Sequence, residues 1–122
     1  MTDTTRLIDD YIACWNETDS AKRRALIDRA WTERATYVDP MMNGEGRTGI
    51  DAMIAGVQAK FPGFRFRVSK PVEAVADRVR FSWECGPDGA SVIGGTDFAT
   101  IADGRLNAVT GFIDFAPGMG KA

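Results

Sequence analysis

Histidine is absent from this 122-residue sequence, and cysteine occurs only twice. Without histidine the chain cannot form a Ser-His or Cys-His nucleophile pair, a histidine base or a His-ligated metal site. Acid–base chemistry near neutral pH would therefore depend on carboxylates or tyrosines with shifted pKa values. Cys14 and Cys85 both lie in apolar patterns, which predicts two buried thiols in a reducing compartment; the sequence also allows a disulfide.

The sequence also lacks an apolar run long enough to cross a membrane, and its polar first five residues do not resemble a signal peptide. Fifteen basic and 17 acidic side chains give a formal net charge of −2, which does not favour nucleic acid or a membrane surface as a partner. A chain of this length suits one domain with its own core. We therefore expect a single cytoplasmic domain over residues 1–122.

The first half of the chain has apolar residues at helical spacing. Either Asp19 or Ser20 is a suitable N-cap for a second helix, and Thr48 with Asp51 resembles a capping box for a third. The basic run at residues 22–24 is typical of a solvated helix face. The pattern predicts three helices, over about residues 4–17, 19–31 and 48–61.

The second half alternates apolar and polar residues, which is typical of strands with one face in a core. A short strand at 35–40 and a glycine-rich loop at 41–49 precede the third helix. Asp103-Gly104 is a type I′ hairpin signal, and the tail at 116–122 is expected to fray. Four strands are predicted, at about residues 64–68, 78–85, 91–102 and 106–115. Helices segregated to one face of a curved antiparallel sheet make an α+β domain.

One carboxylate interrupts an apolar strand face. Asp97 shares its face with Ile93, Ala99 and Ile101, which we expect to be buried. A carboxylate there must be paired, hydrogen-bonded or protonated, so Asp97 is the first candidate catalytic residue. The alternatives are a different strand register, or an Asp satisfied by Tyr or Arg for structural reasons alone.

Asp39 and Tyr11 are the other candidates. Asp39 ends a strand and precedes Pro40, which holds its backbone extended, although Asp-Pro also starts ordinary turns. Tyr11 and Trp15 lie one turn apart on a helix face, and core packing is the alternative role for both. A buried Tyr11 hydroxyl would need a partner, and Asp97 could be that partner.

Seven short segments occur in a characteristic order: YIACWNETD at 11–19, ATYVDP at 35–40, GRTGI at 46–50, FPGF at 61–64, GTDF at 95–98, DGRL at 103–106 and VTGF at 109–112. Together they resemble the SnoaL-like branch of the nuclear transport factor 2-like superfamily, over about residues 5–115. The resemblance implies a cone-shaped α+β fold, in which three helices pack on a strongly curved, mostly antiparallel sheet that encloses a pocket.

That superfamily includes steroid isomerases, polyketide cyclases, dehydratases, epoxide hydrolases and non-enzymatic binding domains, so the fold alone does not define function. In the isomerase pattern, Asp39 matches the base, and Tyr11 and Asp97 match the donors that stabilise an enolate. In the cyclases, Asp97 would itself be the acid–base group. The resemblance thus implies cofactor-free, metal-free enolate chemistry on a small apolar, aromatic or polycyclic molecule. A non-catalytic ligand-binding module and a dimeric interaction module are the alternatives.

Strand parity and the helix faces predict the residues around the pocket. They are Tyr11, Trp15, Tyr37, Val57, Phe61, Phe66, Phe81, Trp83, Asp97 and Ile113. On the opposite, outer face of the sheet, the same parity predicts an apolar patch that would hold a homodimer together. This patch contains Val92, Phe98, Leu106, Ala108 and Phe112.

The pattern also predicts protonation states. Burial should raise the pKa of Asp97, so that it is largely protonated near neutral pH and hydrogen-bonded to Tyr11. Asp39, beside a glycine-rich loop, should stay ionised. The pair would then supply a base and a neutral donor in one pocket.

Overall fold

The computed structural model describes residues 3–117. The predicted helices and strands occur there in the predicted order, but two short strands were not predicted, and the first of them, Asn43–Glu45, lies in the segment 41–49 predicted as a loop. No helix within this range is long and apolar enough to span a membrane. The predicted fraying of residues 118–122 lies outside the described residues. The elements are α1 (Asp3–Asn16), α2 (Ser20–Ala30), β1 (Trp31–Val38), β2 (Asn43–Glu45), α3 (Gly46–Lys60), β3 (Phe64–Val68), β4 (Glu73–Val75), β5 (Arg78–Pro87), β6 (Ile93–Ala102) and β7 (Arg105–Phe115).

Helix α2 begins as predicted but ends earlier. The Asp19 carboxylate accepts the backbone N–H of Lys22 at 2.9 Å, which caps the helix. Trp31, predicted as helical, instead begins β1 and lies opposite Leu106 of β7. The Arg47 guanidinium donates to the carbonyl oxygens of Asp28 and Trp31, so it satisfies groups that the end of the helix leaves free.

Helix α3 starts two residues before the predicted capping box. Its N-cap is Glu45, which makes no side-chain capping bond. Asp51 instead accepts a hydrogen bond from Nε of Arg23 at 2.7 Å. Arg23 is 5% exposed and also donates to Gln58 and the Glu17 carbonyl, so the prediction of a solvated face is wrong for this residue. A buried guanidinium needs such partners, and these bonds fasten the α1–α2 turn to α3.

The strands form one curved, open, mixed sheet in the order β2-β1-β7-β6-β5-β3, and β4 also pairs with β5. Only the β1–β7 pair is parallel among these pairings. Strand β4 is short and exposed, and no alternation of apolar and polar residues predicts it. Asp103 and Gly104 have φ of 53° and 73°, as the predicted type I′ turn requires. The α+β class is confirmed.

The predicted outer patch is partly wrong. Leu106 is fully buried, because the β6–β7 register shifts between Thr100 and Ile101 and this bulge reverses the side-chain parity of β7. Phe98 and Phe112 do lie on the outer face, at 45% and 51% exposure, with their rings 5.8 Å apart. The half-buried Val92 precedes β6, and Ala108 is also half-buried.

Candidate active site

A cavity of about 700 Å³ lies between α1, α3 and the inner face of the sheet. Nine of the ten residues predicted to surround a pocket line this cavity, together with Asp39. The exception is Phe81, which lies directly opposite Asp97 but is covered by the Tyr11 ring at a centroid distance of 5.2 Å. Phe81 is therefore a core residue, and α1 closes the cavity above it. Other apolar side chains complete the wall, among them Ile12, Met53, Phe64 and Ile93.

Asp97 is the centre of a buried hydrogen-bond cluster. The Tyr11 hydroxyl donates to its Oδ2 at 2.6 Å, and the Trp83 indole N–H donates to its Oδ1 at 3.0 Å. The predicted Tyr11–Asp97 bond is thus confirmed, and so is the register that places Trp83 and Asp97 on one sheet face. Asp97 is 1% exposed yet lines the cavity, so a ligand there would meet its carboxylate in a largely apolar environment.

Burial raises the pKa of Asp97 from 3.8 to about 6, while the hydrogen bonds from Tyr11 and Trp83 oppose this rise because they stabilise the charged form. The direction of the shift agrees with the sequence-based prediction. The predicted protonation state does not, because a group with a pKa near 6 is mainly ionised at pH 7. Strand alternation does not predict the Trp83 bond, which is one reason that burial alone overstates the shift.

A glycine makes the Trp83 contact possible. Gly95 lies directly opposite Trp83 on β6, two residues before Asp97. A Cβ on Gly95 would lie 2.6 Å from Cζ2 of the Trp83 indole and 2.4 Å from the Phe112 carbonyl oxygen. Because that position is empty, the indole can lie across the strand and reach the carboxylate. The sequence contains both residues, but the contact can be predicted only when the strand register is known, because the register alone pairs Trp83 with Gly95.

Asp39 has a different set of contacts. Its Oδ2 accepts the Tyr37 hydroxyl at 2.7 Å, and its Oδ1 accepts the backbone N–H groups of Met41 and Met42 at 2.8 and 3.0 Å. These bonds hold the turn after β1, where both methionines line the cavity. The structure therefore shows Asp39 in the turn-forming role that the sequence analysis gave as the alternative to a base.

Both tyrosine hydroxyls in the cavity wall are directed at carboxylates. Burial, and the nearby negative charge of Asp97, raise the pKa of Tyr11 and of Tyr37 well above the usual range. Neither hydroxyl proton is free to meet a ligand oxygen in this arrangement. The Trp15 indole nitrogen, in contrast, is buried with no hydrogen-bond partner among the described residues.

The two cysteines are free, buried thiols, as predicted. Burial raises the pKa of Cys14 to about 12 and that of Cys85 to about 11, so neither is a thiolate near neutral pH. Cys85 lines the cavity as an apolar group. Within residues 3–117, no group of three or more Cys, Asp or Glu side chains is placed to hold a metal ion.

Gly111 lies where the Asp97 and Asp39 clusters approach each other, and its lack of a side chain leaves room for both. A Cβ at this position would lie 2.9 Å from Oδ1 of Asp97 and 3.0 Å from the Tyr37 hydroxyl. We expect Gly111→Ala to lower the free energy of unfolding by about 1–3 kcal/mol, because the new methyl group overpacks the site. The midpoint of the Asp97 titration, measured by carboxyl ¹³C NMR, should also move away from about 6.

Gly56→Ala is the matched control. A Cβ there meets nothing within 4 Å, and the residue lies inside α3, so alanine should stabilise the protein by about 0.5–1 kcal/mol. Urea unfolding of both variants measures the difference. Equal stability of Gly111→Ala and the wild type, with an unchanged Asp97 titration, would show that the site has more room than the distances indicate.

The comparisons with known proteins agree with this fold. A sequence model described as the SnoaL-like domain matches residues 8–109. A candidate isomerase of the SnoaL-like family from Agrobacterium tumefaciens strain C58 is 44% identical, with a TM-score of 0.89; the match covers 94% of this chain and all of that one. A search of curated proteins finds no match.

More distant structures share the fold. A candidate SnoaL-like polyketide cyclase from Jannaschia sp. CCS1 is 19% identical with a TM-score of 0.68, and the match covers 90% of this chain and 86% of the other. A candidate ketosteroid isomerase from Kribbella flavida is 17% identical with a TM-score of 0.70, and the corresponding shares are 98% and 84%. The match of the domain model to most of the sequence, together with the 44% identity, shows that the chain belongs to the SnoaL-like family.

Proposed function

We propose that the chain is a cofactor-independent acid–base enzyme that acts on a small, largely apolar carbonyl compound. Asp97 would take a proton from the carbon next to the carbonyl, and the C–H electron pair would move into an enolate. The proton would then return to another carbon in an isomerase-like reaction. In a cyclase-like one the enolate carbon would attack a second carbonyl, and the alkoxide so formed would take the proton back from Asp97. The observation that carries the proposal is a carboxylate with a pKa of about 6 on the wall of an apolar cavity.

The hydrogen bonds favour Asp97 as the base rather than as a donor. An enolate-stabilising donor must be protonated, but Asp97 accepts hydrogen bonds from Tyr11 and Trp83 and, with a pKa of about 6, is mainly ionised at pH 7. Each carboxylate oxygen still has a second lone-pair direction that could accept a substrate proton. Asp39 is already engaged by three donors in its turn. These contacts support the cyclase-like use of Asp97 over the isomerase-like arrangement.

The cavity supports an aromatic or polycyclic substrate. Its volume of about 700 Å³ lies within the usual range for small-molecule sites. Trp15 stands between the rings of Tyr37 and Phe66, at centroid distances of 5.6 and 5.4 Å, and Trp83 continues this series beyond Phe66. Such a wall offers flat apolar contacts along one side of a bound ring.

A non-catalytic binding module is the second candidate. Both oxygens of Asp97 are already satisfied by Tyr11 and Trp83 without a ligand, as in a purely structural hydrogen-bond cluster. The cavity would then hold an apolar ligand without turnover.

Exchange of α-protons distinguishes the two candidates. The purified protein is incubated with 2-tetralone in D₂O, and loss of the α-proton signals is followed by ¹H NMR. We expect exchange faster than in buffer alone, because a buried base beside the carbonyl compound removes the proton reversibly. Binding of the ketone, seen as shifted ring signals, without accelerated exchange would favour the binding module.

A second copy of the chain is the proposed partner for the outer sheet face. Phe98 and Phe112 form the apolar centre of that face, and it carries both positive and negative side chains: Lys70, Arg80, Glu73 and Asp114. Mixed charges around an apolar centre can complement themselves across a twofold axis. Light scattering at micromolar concentration should give a dimer mass for the wild type and a monomer mass for Phe112→Glu. A monomeric wild type would show that this proposal is wrong.

A further inference from the structure

The charges around the cavity are arranged unevenly. Only Asp39, Asp97 and Lys60 are charged among the described residues that line it. Lys60 is the last residue of α3, and its side chain is exposed at the cavity mouth. Its ammonium group lies 5.8 Å from the centroid of the Phe61 ring, itself part of the wall. The cavity therefore has the buried Asp97 on its inner wall, the half-buried Asp39 in the turn after β1, and the positive group of Lys60 at its entrance.

Lys60 has no carboxylate partner within residues 3–117. The ion pairs in this range are made by seven arginines. The neighbouring aromatic ring can orient the ammonium group but does not neutralise it. Its charge thus remains available to a group that enters or leaves the cavity.

We propose that the cavity selects aromatic molecules that carry one anionic group, a carboxylate or a sulfonate, and that Lys60 binds this group at the entrance. The inference rests on the proposed function, because it concerns the substrate class of the same cavity. An anion placed near the buried Asp97 would be repelled by a like charge in a poorly solvated environment. The same anion at the entrance would be attracted by Lys60.

This polarity also orients the ligand. With its anionic end at Lys60, the apolar body of the molecule extends along the aromatic wall towards Asp97. The end opposite to the anion is then the part presented to the base. Lys60 would thus be a specificity-determining residue that chooses both the substrate class and the direction in which it enters.

A lysine at the end of a helix also interacts favourably with the helix dipole without any ligand. Two dyes that differ by a single charge separate these roles. 8-Anilinonaphthalene-1-sulfonate and N-phenyl-1-naphthylamine share the same ring system, and only the first has a sulfonate. Their affinities for the full chain are measured by fluorescence titration at low salt in the wild type, Lys60→Gln, Lys60→Arg and Lys22→Gln. Lys22 is exposed on α2 and does not line the cavity, so it is the matched control.

We expect Lys60→Gln to weaken binding of the sulfonate dye about three- to fivefold, as for a partly exposed ion pair, and to leave the neutral dye unchanged. Lys60→Arg should keep the affinity for the sulfonate dye, and Lys22→Gln should change the affinity for neither dye. Added salt should lower the affinity for the sulfonate dye more in the wild type than in Lys60→Gln. Gly56→Trp extends a large side chain into the open space at the cavity mouth, so it should weaken the binding of both dyes.

Unchanged binding of the sulfonate dye by Lys60→Gln would overturn the proposal and leave Lys60 as a helix-end residue. Undiminished binding by Gly56→Trp would overturn it too, because the dye would then lie outside this cavity. Dye binding requires no turnover. If Lys60→Gln leaves dye binding unchanged but the protein still accelerates α-proton exchange, only anion selection is rejected. If the protein does not accelerate α-proton exchange but Lys60→Gln weakens binding of the sulfonate dye, only the catalytic proposal is rejected.

Discussion

Replacing Asp97 by Asn is expected to lower the rate of α-proton exchange by about 10²- to 10⁴-fold, the usual contribution of a positioned general base. The amide is nearly isosteric and can still accept a hydrogen bond from Tyr11 or Trp83, but it cannot take a proton from carbon. In the wild type the rate should rise with pH through about 6 and then level off, because the ionised carboxylate is the active form. The measurement is the exchange rate of 2-tetralone in D₂O at a series of pH values.

Asp39→Asn is the matched control for this experiment. Both aspartates line the cavity and both accept a hydrogen bond from a tyrosine, so the two variants make the same chemical change a short distance apart. We expect Asp39→Asn to keep the rate within about tenfold of the wild type, because its effect would come through the Met41–Met42 turn rather than through proton transfer. A larger loss in Asp39→Asn than in Asp97→Asn would reverse the assignment and restore the isomerase-like base.

The sequence was enough to predict the Tyr11–Asp97 contact. Helical spacing placed Tyr11 on the inner face of α1, and strand alternation placed Asp97 on the inner face of β6. A buried hydroxyl and a buried carboxylate each need a partner, so the two residues were expected to meet. Tyr11 and Asp97 are predicted from periodicity and from the cost of burying polar groups. Asp39 is predicted from the proline that follows it, and the roles of all three come from the family resemblance.

The predictions that failed are those in which strand pairing or contacts between helices override a local sequence pattern. Leu106 was assigned to the outer face because the alternation along β7 was assumed to be unbroken, but a bulge opposite Thr100 and Ile101 reverses it. The basic neighbours of Arg23 predict a solvated side chain, but Asp51 and Gln58 of α3 and the nearby Glu17 carbonyl oxygen accept its hydrogen bonds. The Trp83–Asp97 bond depends on Gly95 lying opposite Trp83, a relation that only the register defines.

Acidic pH is expected to stabilise the wild type relative to Asp97→Asn. In the unfolded chain Asp97 titrates near about 3.9, whereas in the folded protein its pKa is about 6. A raised native pKa means that the folded state holds the proton more tightly, so this contribution is fully present below about pH 4. It is lost as the pH rises through about 6, because the native protein must then ionise a buried carboxylate. A difference of about two pKa units corresponds to about 3 kcal/mol.

Urea unfolding of the wild type and Asp97→Asn at about pH 4 and pH 7.5 tests this linkage. The stability difference between the two proteins should shift by about 3 kcal/mol in favour of the variant at the higher pH. Asp77→Asn, which removes a carboxylate from the surface, should show no comparable shift. A difference between wild type and Asp97→Asn that is independent of pH would mean that Asp97 ionises as easily as in water.

A shift of that size would be a large part of the 5–15 kcal/mol that typically stabilises a domain. A carboxylate retained at such a cost on the wall of an apolar cavity is better explained by a reaction that needs a base near neutral pH than by packing alone. If the stability of Asp97→Asn rises at pH 7.5 while its exchange activity falls, the same carboxylate that destabilises the fold will have been shown to do the chemistry. If exchange activity does not fall and Asp97→Asn is less stable than the wild type at both pH values, the Tyr11–Asp97–Trp83 cluster is structural, and the binding module becomes the better account of the cavity.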